Sequence, residues 1–163
     1  DSFRDDYNFD DEKVEEAVTK FREYFAETGI FENKIFPNVK EILEYLYESG
    51  KVLLLATSKP TVFAERILKH FEIDQYFKYV GGSNLDGSRS EKNEVIDHVL
   101  ETCNISSMDD VIMIGDRKYD VLGAQKIGVD SIGVLYGYGS LEELKEANPN
   151  YIIENVEELK NIL

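Results

Sequence analysis

A doubly wound, parallel α/β sheet is the fold this sequence predicts, and three observations carry the prediction. The first is a pair of unbroken apolar runs, V-L-L-L-A at 52–56 and V-I-M-I at 111–114. Strands that show no apolar/polar alternation are covered on both faces, as in parallel sheets. The second is the alternation of such runs with amphipathic helical stretches, the pattern of successive strand–helix units. The third is chemical. Thr57, Lys92, Asp116 and Asp120 each fall at a predicted element boundary, and open α/β sheets gather their ligand groups at the carboxyl ends of the strands.

Composition bounds the answer. A chain of 163 residues, 42% of them hydrophobic, makes one domain or one domain with a small accessory lobe. Folding at this size hides roughly 70% of the surface of the unfolded chain. With 33 acidic against 18 basic residues the net charge is −15, which argues against nucleic acid or an anionic membrane as partner. The single cysteine, Cys103, excludes an internal disulfide, fits a reducing cytoplasm and reads as a small buried hydrophobe. No apolar run approaches the length of a membrane span, and no stretch reads as a signal peptide.

Taken in order, Asp10 or Asp11 caps a helix reaching about Thr28 and closed by Gly29. Val14, Ala17, Val18, Phe21, Tyr24, Phe25 and Thr28 recur there at three and four, which predicts one buried face. Ile30 to Phe36 reads as a linker. Pro37 suits the first turn of a second helix with Val39, Ile42, Leu43, Leu46 and Tyr47 inward and Gly50 as its stop. The strand 52–56 runs into Thr57-Ser58-Lys59, and Pro60 is placed to begin a helix through Phe71. Tyr79 and Val80 form a short strand closed by Gly81 and Gly82, Asn84 to Gly87 a turn, and Glu91 to Thr102 a helix. The strand 111–114 is followed by a helix from Arg117 to Ile127, a strand at Ser131–Val134 and a flexible Y-G-Y-G loop at 136–139. A helix at Leu141–Ala147, a strand at Tyr151–Ile153 and a helix at Val156–Leu163 close the chain.

The polar residues at these boundaries are each ambiguous alone. Asp116 could be an ordinary helix cap, yet Asp120 lies one turn on and can share its outlook. Two carboxylates at a strand end suit Mg²⁺, which is held by one or two carboxylates together with water and phosphate oxygens. Thr57 and Ser58 could be caps too, yet a hydroxyl and backbone N–H groups at a helix start suit a phosphate. Lys92 sits in a first helical turn, where the macrodipole disfavours a cation. His70 and His98 fall inside predicted helices and receive no role. A hydroxyl, a lysine and an acidic pair in that order are far more specific together than singly.

In that order these residues resemble the haloacid dehalogenase-like (HAD) hydrolases, and specifically their phosphatase branch. T-S-K at 57–59 is similar to the family's second motif, Lys92 to its third, and G-D-R-K-Y-D at 115–120 to its fourth. The resemblance implies a Rossmann-like core over 34–163 and part of a helical cap over 1–33. It implies that Thr57 binds the transferring phosphoryl group, with Ser58 and Lys59 beside it, and that Lys92 stabilises its charge. Mg²⁺ is then expected on Asp116, with Asp120 as the second member, and the substrate to be a small phosphorylated metabolite. Phosphoglycolate or a nucleoside 5′-monophosphate is the expected type. G-S-N-L-D-G-S-R-S-E-K at 82–92 looks more like the 5′-nucleotidase-like members than like those with prolines around the lysine. Arg89 is therefore a candidate substrate-binding or lysine-positioning residue.

The family's first motif, an apolar strand ending in D-x-D-x-T, has no counterpart in this sequence. In the family that strand carries the nucleophilic aspartate, which forms an aspartyl-phosphate, and it lies between the strands that correspond here to 52–56 and 111–114. The resemblance thus implies a core lacking its first strand, a gap in the sheet and a catalytically silent chain cut from a longer enzyme. The alternative is a non-catalytic binding or regulatory relative. A phosphoacceptor receiver domain also uses Asp, Thr and Lys at strand ends, but it needs its acidic pair after the first strand and its Thr and Lys late in the chain, whereas here Thr and Lys come first and the pair last.

Overall fold

The computed structural model describes Tyr7, residues 9–86 and residues 88–163; the rest of the opening segment and Gly87 of the predicted turn lie outside the described residues. The chain divides into two units after Lys34. In the first, helix α1 (Asp11–Glu27) begins where Asp10 accepts a hydrogen bond from the Lys13 N–H at 3.0 Å, satisfying a donor that the first turn leaves unpaired. The predicted apolar stripe of α1 is present, but no residue of the helix is buried. Its members pair locally instead, with Phe21 and Phe25 stacked at 5.8 Å. The Tyr24 hydroxyl donates to Glu32 Oε2 at 2.6 Å. The expected linker starts with a 3₁₀ turn, Gly29–Phe31, whose Ile30 is fully buried.

The second unit alternates as the apolar pattern requires. Helix α2 (Val39–Glu48) is followed by β1 (Leu53–Pro60), α3 (Thr61–His70), β2 (Phe77–Ser83) and α4 (Lys92–Thr102). Then come β3 (Ile112–Gly115), α5 (Lys118–Ile127), β4 (Asp130–Val134), α6 (Leu141–Ala147), β5 (Tyr151–Ile153) and α7 (Leu159–Ile162). Every strand pairing is parallel. Four boundaries depart from expectation. Strand β2 is not closed by Gly81 and Gly82 but runs through both to Ser83, because Gly81 pairs with Ala56 and Ser83 with Pro60 of β1. Asn38, in the left-handed region at φ 62°, precedes α2, so Pro37 stands outside it. Strand β1 runs on past Ala56, its register breaking between the pairs Ala56–Gly81 and Pro60–Ser83. Thr57, Ser58 and Lys59 therefore lie on extended chain and not at the start of α3. The last predicted helix is a 3₁₀ turn at Val156–Glu158 leading into the short α7. Cys103 ends α4 only half buried.

Among the described residues the strands form two sheets, β1–β2 and β3–β4–β5, yet both lie between the same two layers. On one side Leu53 of β1 and Ile112 and Ile114 of β3 pack on a cluster of Ile42, Leu46, Ile132, Val134, Ile153, Val156 and Leu159. On the other side Leu54 and Ala56 join Met113 against Ile96, Leu100, Ala124 and Val129. Successive side chains of a strand point to opposite faces, so β1 and β3 present matching faces to matching layers. Even so, among the described residues each has a hydrogen-bonded neighbour on one edge only, and the apolar residues of both remain partly exposed.

Ile132, on β4 and with no exposed surface, anchors the first of these layers. Truncating it to alanine removes a buried aliphatic group whose cavity cannot collapse in a close-packed layer, at a cost of about 2–5 kcal/mol. Urea unfolding of Ile132→Ala is expected to show a loss in that range with an unchanged slope.

Candidate active site

Lys92 is the first residue of α4, capped by Glu91 with the side chain of Glu94 reaching back to the Glu91 N–H at 3.3 Å. The carboxylates of Glu91 and Glu94 answer the macrodipole that a lysine at this end would oppose. The Lys92 side chain does not reach for water. It is 13% exposed, and its Nζ lies 2.8 Å from Oδ1 of Asp120, itself 8% exposed. Nζ also donates to the Ala56 carbonyl at 3.2 Å. The aliphatic stem passes over Gly123, where a Cβ would sit 2.8 Å from Lys92 Cγ; only glycine leaves that path open. Lys92 thereby ties β1, at the point where its register with β2 breaks, to the first turn of α5.

Asp120 has both oxygens engaged, since Oδ2 accepts from the Arg117 N–H at 3.1 Å. Asp116, directly after β3, does not. Its Oδ2 accepts from the Tyr138 N–H at 2.7 Å, and among the described residues its Oδ1 takes no hydrogen bond. Of the two carboxylates expected to hold Mg²⁺, Asp116 is thus the one with an open oxygen, while Asp120 anchors Lys92. No group of three or more metal-ligating side chains occurs among the described residues. A single open carboxylate fits Mg²⁺, which keeps most of its shell as water and phosphate oxygens. Beside it, burial first and then the negative charges of Asp116 and Glu157 push the Tyr136 hydroxyl up to about 12, so it is a neutral O–H donor at neutral pH.

Thr57 is half buried, and its Oγ1 accepts from the Lys59 N–H at 3.2 Å. The Ser58 carbonyl accepts from the Ser83 hydroxyl at 3.0 Å, and the Ser58 side chain is exposed. Arg89 is spent elsewhere. Its Nε donates to the Gly82 carbonyl at 3.0 Å and its Nη2 to Asn84 Oδ1 at 2.9 Å, so the guanidinium braces the end of β2 and the residue that follows it. The structure therefore brings Lys92, Asp120 and the Ala56–Thr57 strand end together, with Asp116 one helical turn from Asp120, and gives Arg89 no contact with Lys92.

Sequence reading missed two elements here. Glu143 of α6 accepts from Arg117 Nε at 2.7 Å and from the Lys118 N–H at 2.9 Å, and the Arg117 hydrogen bond holds its carboxyl below the usual range. A lone glutamate in an acidic helix carries no signal. The Y-G-Y-G loop, expected to be flexible, is seated on Asp116; its two glycines flanking one backbone donor were the available sign.

Fold and cluster define a parallel α/β protein with its polar groups gathered at the carboxyl ends of two strands. The chain matches the model of the haloacid dehalogenase-like hydrolases over residues 2–134, and it belongs to that family. It is 43% identical to a Pseudomonas aeruginosa protein named 5′-nucleotidase, over 99% of this chain and 72% of that one. It is 29% identical to a phosphoglycolate phosphatase of Vibrio parahaemolyticus over 88% of this chain, spanning 62% of that protein. A crystal structure of a candidate phosphatase from Clostridium difficile is 66% identical over the whole chain and 76% of its own, with a TM-score of 0.96. The chain thus sits among the phosphatases of the family.

Lys92 and Asp120 form a buried pair, and removing one partner of such a pair costs about 3–5 kcal/mol because the other is left desolvated. Asp120→Ala and Lys92→Met are each expected to destabilise on that order. The double variant should lose clearly less than their sum in a urea-denaturation cycle.

Proposed function

We propose that this chain is the larger part of a Mg²⁺-dependent phosphomonoester hydrolase acting on a small phosphorylated metabolite. The observation that carries the reading is Lys92 Nζ, held at once by Asp120 and by the last carbonyl before Thr57, one turn from the open oxygen of Asp116. An ammonium has three donors. Two are committed, and the third remains for a phosphoryl oxygen or for the attacking carboxylate. Thr57 Oγ1 accepts from the Lys59 N–H, which leaves its own proton to donate to a second phosphoryl oxygen. Asp116, with Asp120 behind it, would hold Mg²⁺, which supplies neutralisation of phosphoryl charge. Fixed donors aimed at a transferring phosphoryl group are the main source of rate in this chemistry. They also allow a protein of net charge −15 to accept an anion, because the local field is set by the nearest charges. Ser58 and Lys59 line the same segment and would meet the rest of the substrate.

In this reading none of the described aspartates is the attacking group. We assign the nucleophile to a strand lying between β1 and β3, whose facing edges lack partners; its aspartate would take the phosphoryl group as an aspartyl-phosphate and release the alcohol. The chain alone would be silent, and residues 1–33 would be part of the cap that selects the substrate. The similarity to a protein named 5′-nucleotidase favours a nucleoside 5′-monophosphate over phosphoglycolate. No helix among the described residues is long and apolar enough to cross a membrane, and we propose a cytoplasmic location, which a single cysteine with no disulfide partner would suit.

Two outcomes are expected. The 163-residue chain turns over p-nitrophenyl phosphate no faster than buffer, whereas a polypeptide that carries the additional strand hydrolyses it with Mg²⁺; turnover by the chain alone would show that the nucleophile lies within it. In the active polypeptide Asp116→Asn lowers kcat by about 10²-fold or more and flattens the dependence on Mg²⁺. Unchanged turnover and metal requirement would overturn the role of Asp116.

A further inference from the structure

We infer that the Tyr136–Gly139 loop is a positioning clamp that fixes the orientation in which Asp116 offers its free oxygen to the metal, an inference that rests on Asp116 being the ligand proposed above. Three contacts converge on this one residue. The Tyr138 N–H donates to Oδ2 at 2.7 Å. A Cβ at position 137 would sit 2.2 Å from Asp116 Cβ and 2.4 Å from Oδ2, and one at 139 would sit 2.0 Å from the Asp116 carbonyl oxygen. Side-chain carbons essentially never approach heavy atoms within 3.0 Å, so any residue but glycine at either position must push the loop or the aspartate away. Gly137 therefore seats the loop on the side chain of Asp116, and Gly139 seats it on the backbone.

The loop is in turn held at both ends. Before it, the Leu135 N–H donates to the Ile153 carbonyl at 2.9 Å, continuing the β4–β5 ladder. After it, Ser140 caps α6 by accepting from the Glu143 N–H at 3.1 Å. Glu143 then grips Arg117 and the Lys118 N–H, the two residues that follow Asp116. Asp116 is thus enclosed between its own strand, its own helix and a loop anchored to both. A lone carboxylate ligand is free to rotate about its last bond, and metal binding must stop that rotation. With Oδ2 fixed by a backbone donor, Oδ1 points one way before the metal arrives.

The test follows the Tyr138 amide in ¹⁵N-labelled chain titrated with MgCl₂ alone. In the unsubstituted chain this resonance is expected to shift on Mg²⁺ addition and to saturate, and Asp116→Asn should abolish the response. Gly137→Ala and Gly139→Ala should each raise the apparent Kd for Mg²⁺ by about tenfold or more while amide resonances of β4, β5 and α4 keep their positions. If Asp116→Asn leaves the response intact, or the unsubstituted chain shows none, Asp116 is not the ligand and the proposed function loses its metal site. If Asp116→Asn abolishes binding but both folded glycine variants bind Mg²⁺ as tightly as the unsubstituted chain, the clamp is refuted. Should the alanine variants not fold, the Tyr138 amide in Asp116→Asn without metal decides: an unmoved resonance refutes the hydrogen bond on which the clamp depends.

Discussion

The contact between Lys92 and Asp120 is the interaction on which the arrangement of the second unit turns. It lies between two sheets that share no backbone hydrogen bond among the described residues, and with the Ala56 carbonyl it joins the middle of β1, where the strand's register breaks, to the start of α5. Apolar layers on either face hold β1 and β3 in one plane, but apolar packing is non-directional and does not set how two strand ends face each other. A charged, hydrogen-bonded pair does. Desolvating two such groups roughly cancels their attraction, so the pair contributes geometry more than stability. The sequence bends around it: two acidic residues at the start of α4 offset a lysine in the wrong place on the helix, and Gly123 gives up a side chain to let the lysine through.

The same economy divides the acidic pair. Two carboxylates one helical turn apart invite the reading of two equivalent ligands, but each oxygen has been given separate work. Asp120 is closed by Lys92 and the Arg117 N–H, Asp116 is half closed by the Tyr138 N–H, and one oxygen of four is left open. In the proposed site this gives Mg²⁺ a single defined protein ligand, while the cation nearest to Asp120 is already fixed where phosphoryl charge would develop.

Most of the element order was legible because it depends on local rules. Asp10, Gly50 and the apolar runs are capping, stop and burial signals that act within a few residues, and α1, α2, β1 and β3 fall close to where those signals place them. The misplacements have long-range causes. The β1 backbone stays extended through Thr57–Lys59 because Pro60 resumes pairing with Ser83 on β2, a contact no local propensity reveals. The stripe of α1 reads as a buried face, yet its residues are at most partly buried. Arg89 sits in a motif-like string, but its donors go to carbonyl and amide groups five to seven residues back, through a left-handed backbone at φ 52°. The two glycines of the 136–139 loop were a sign in the sequence, but their partner was not, because Asp116 is about twenty residues upstream and joined to the loop only by the fold.

The incomplete burial of β1 and β3 connects stability to chemistry. Apolar strands of a doubly wound sheet are ordinarily covered on both faces and paired on both edges, and unpaired backbone groups that become buried cost roughly 1–3 kcal/mol each. Here, among the described residues, the facing edges of Leu53–Ala56 and Ile112–Gly115 lack partners while the layers above and below are continuous. In the proposed reading one inserted strand, parallel to both, would satisfy both edges together. Running in their direction, it must also end where they end, between Thr57 on one side and Asp116 on the other, within the field of Lys92. The groups missing from the sheet and the group missing from the reaction would then arrive on one segment, so the pairing that completes the core would also set the nucleophile against the phosphoryl-binding donors.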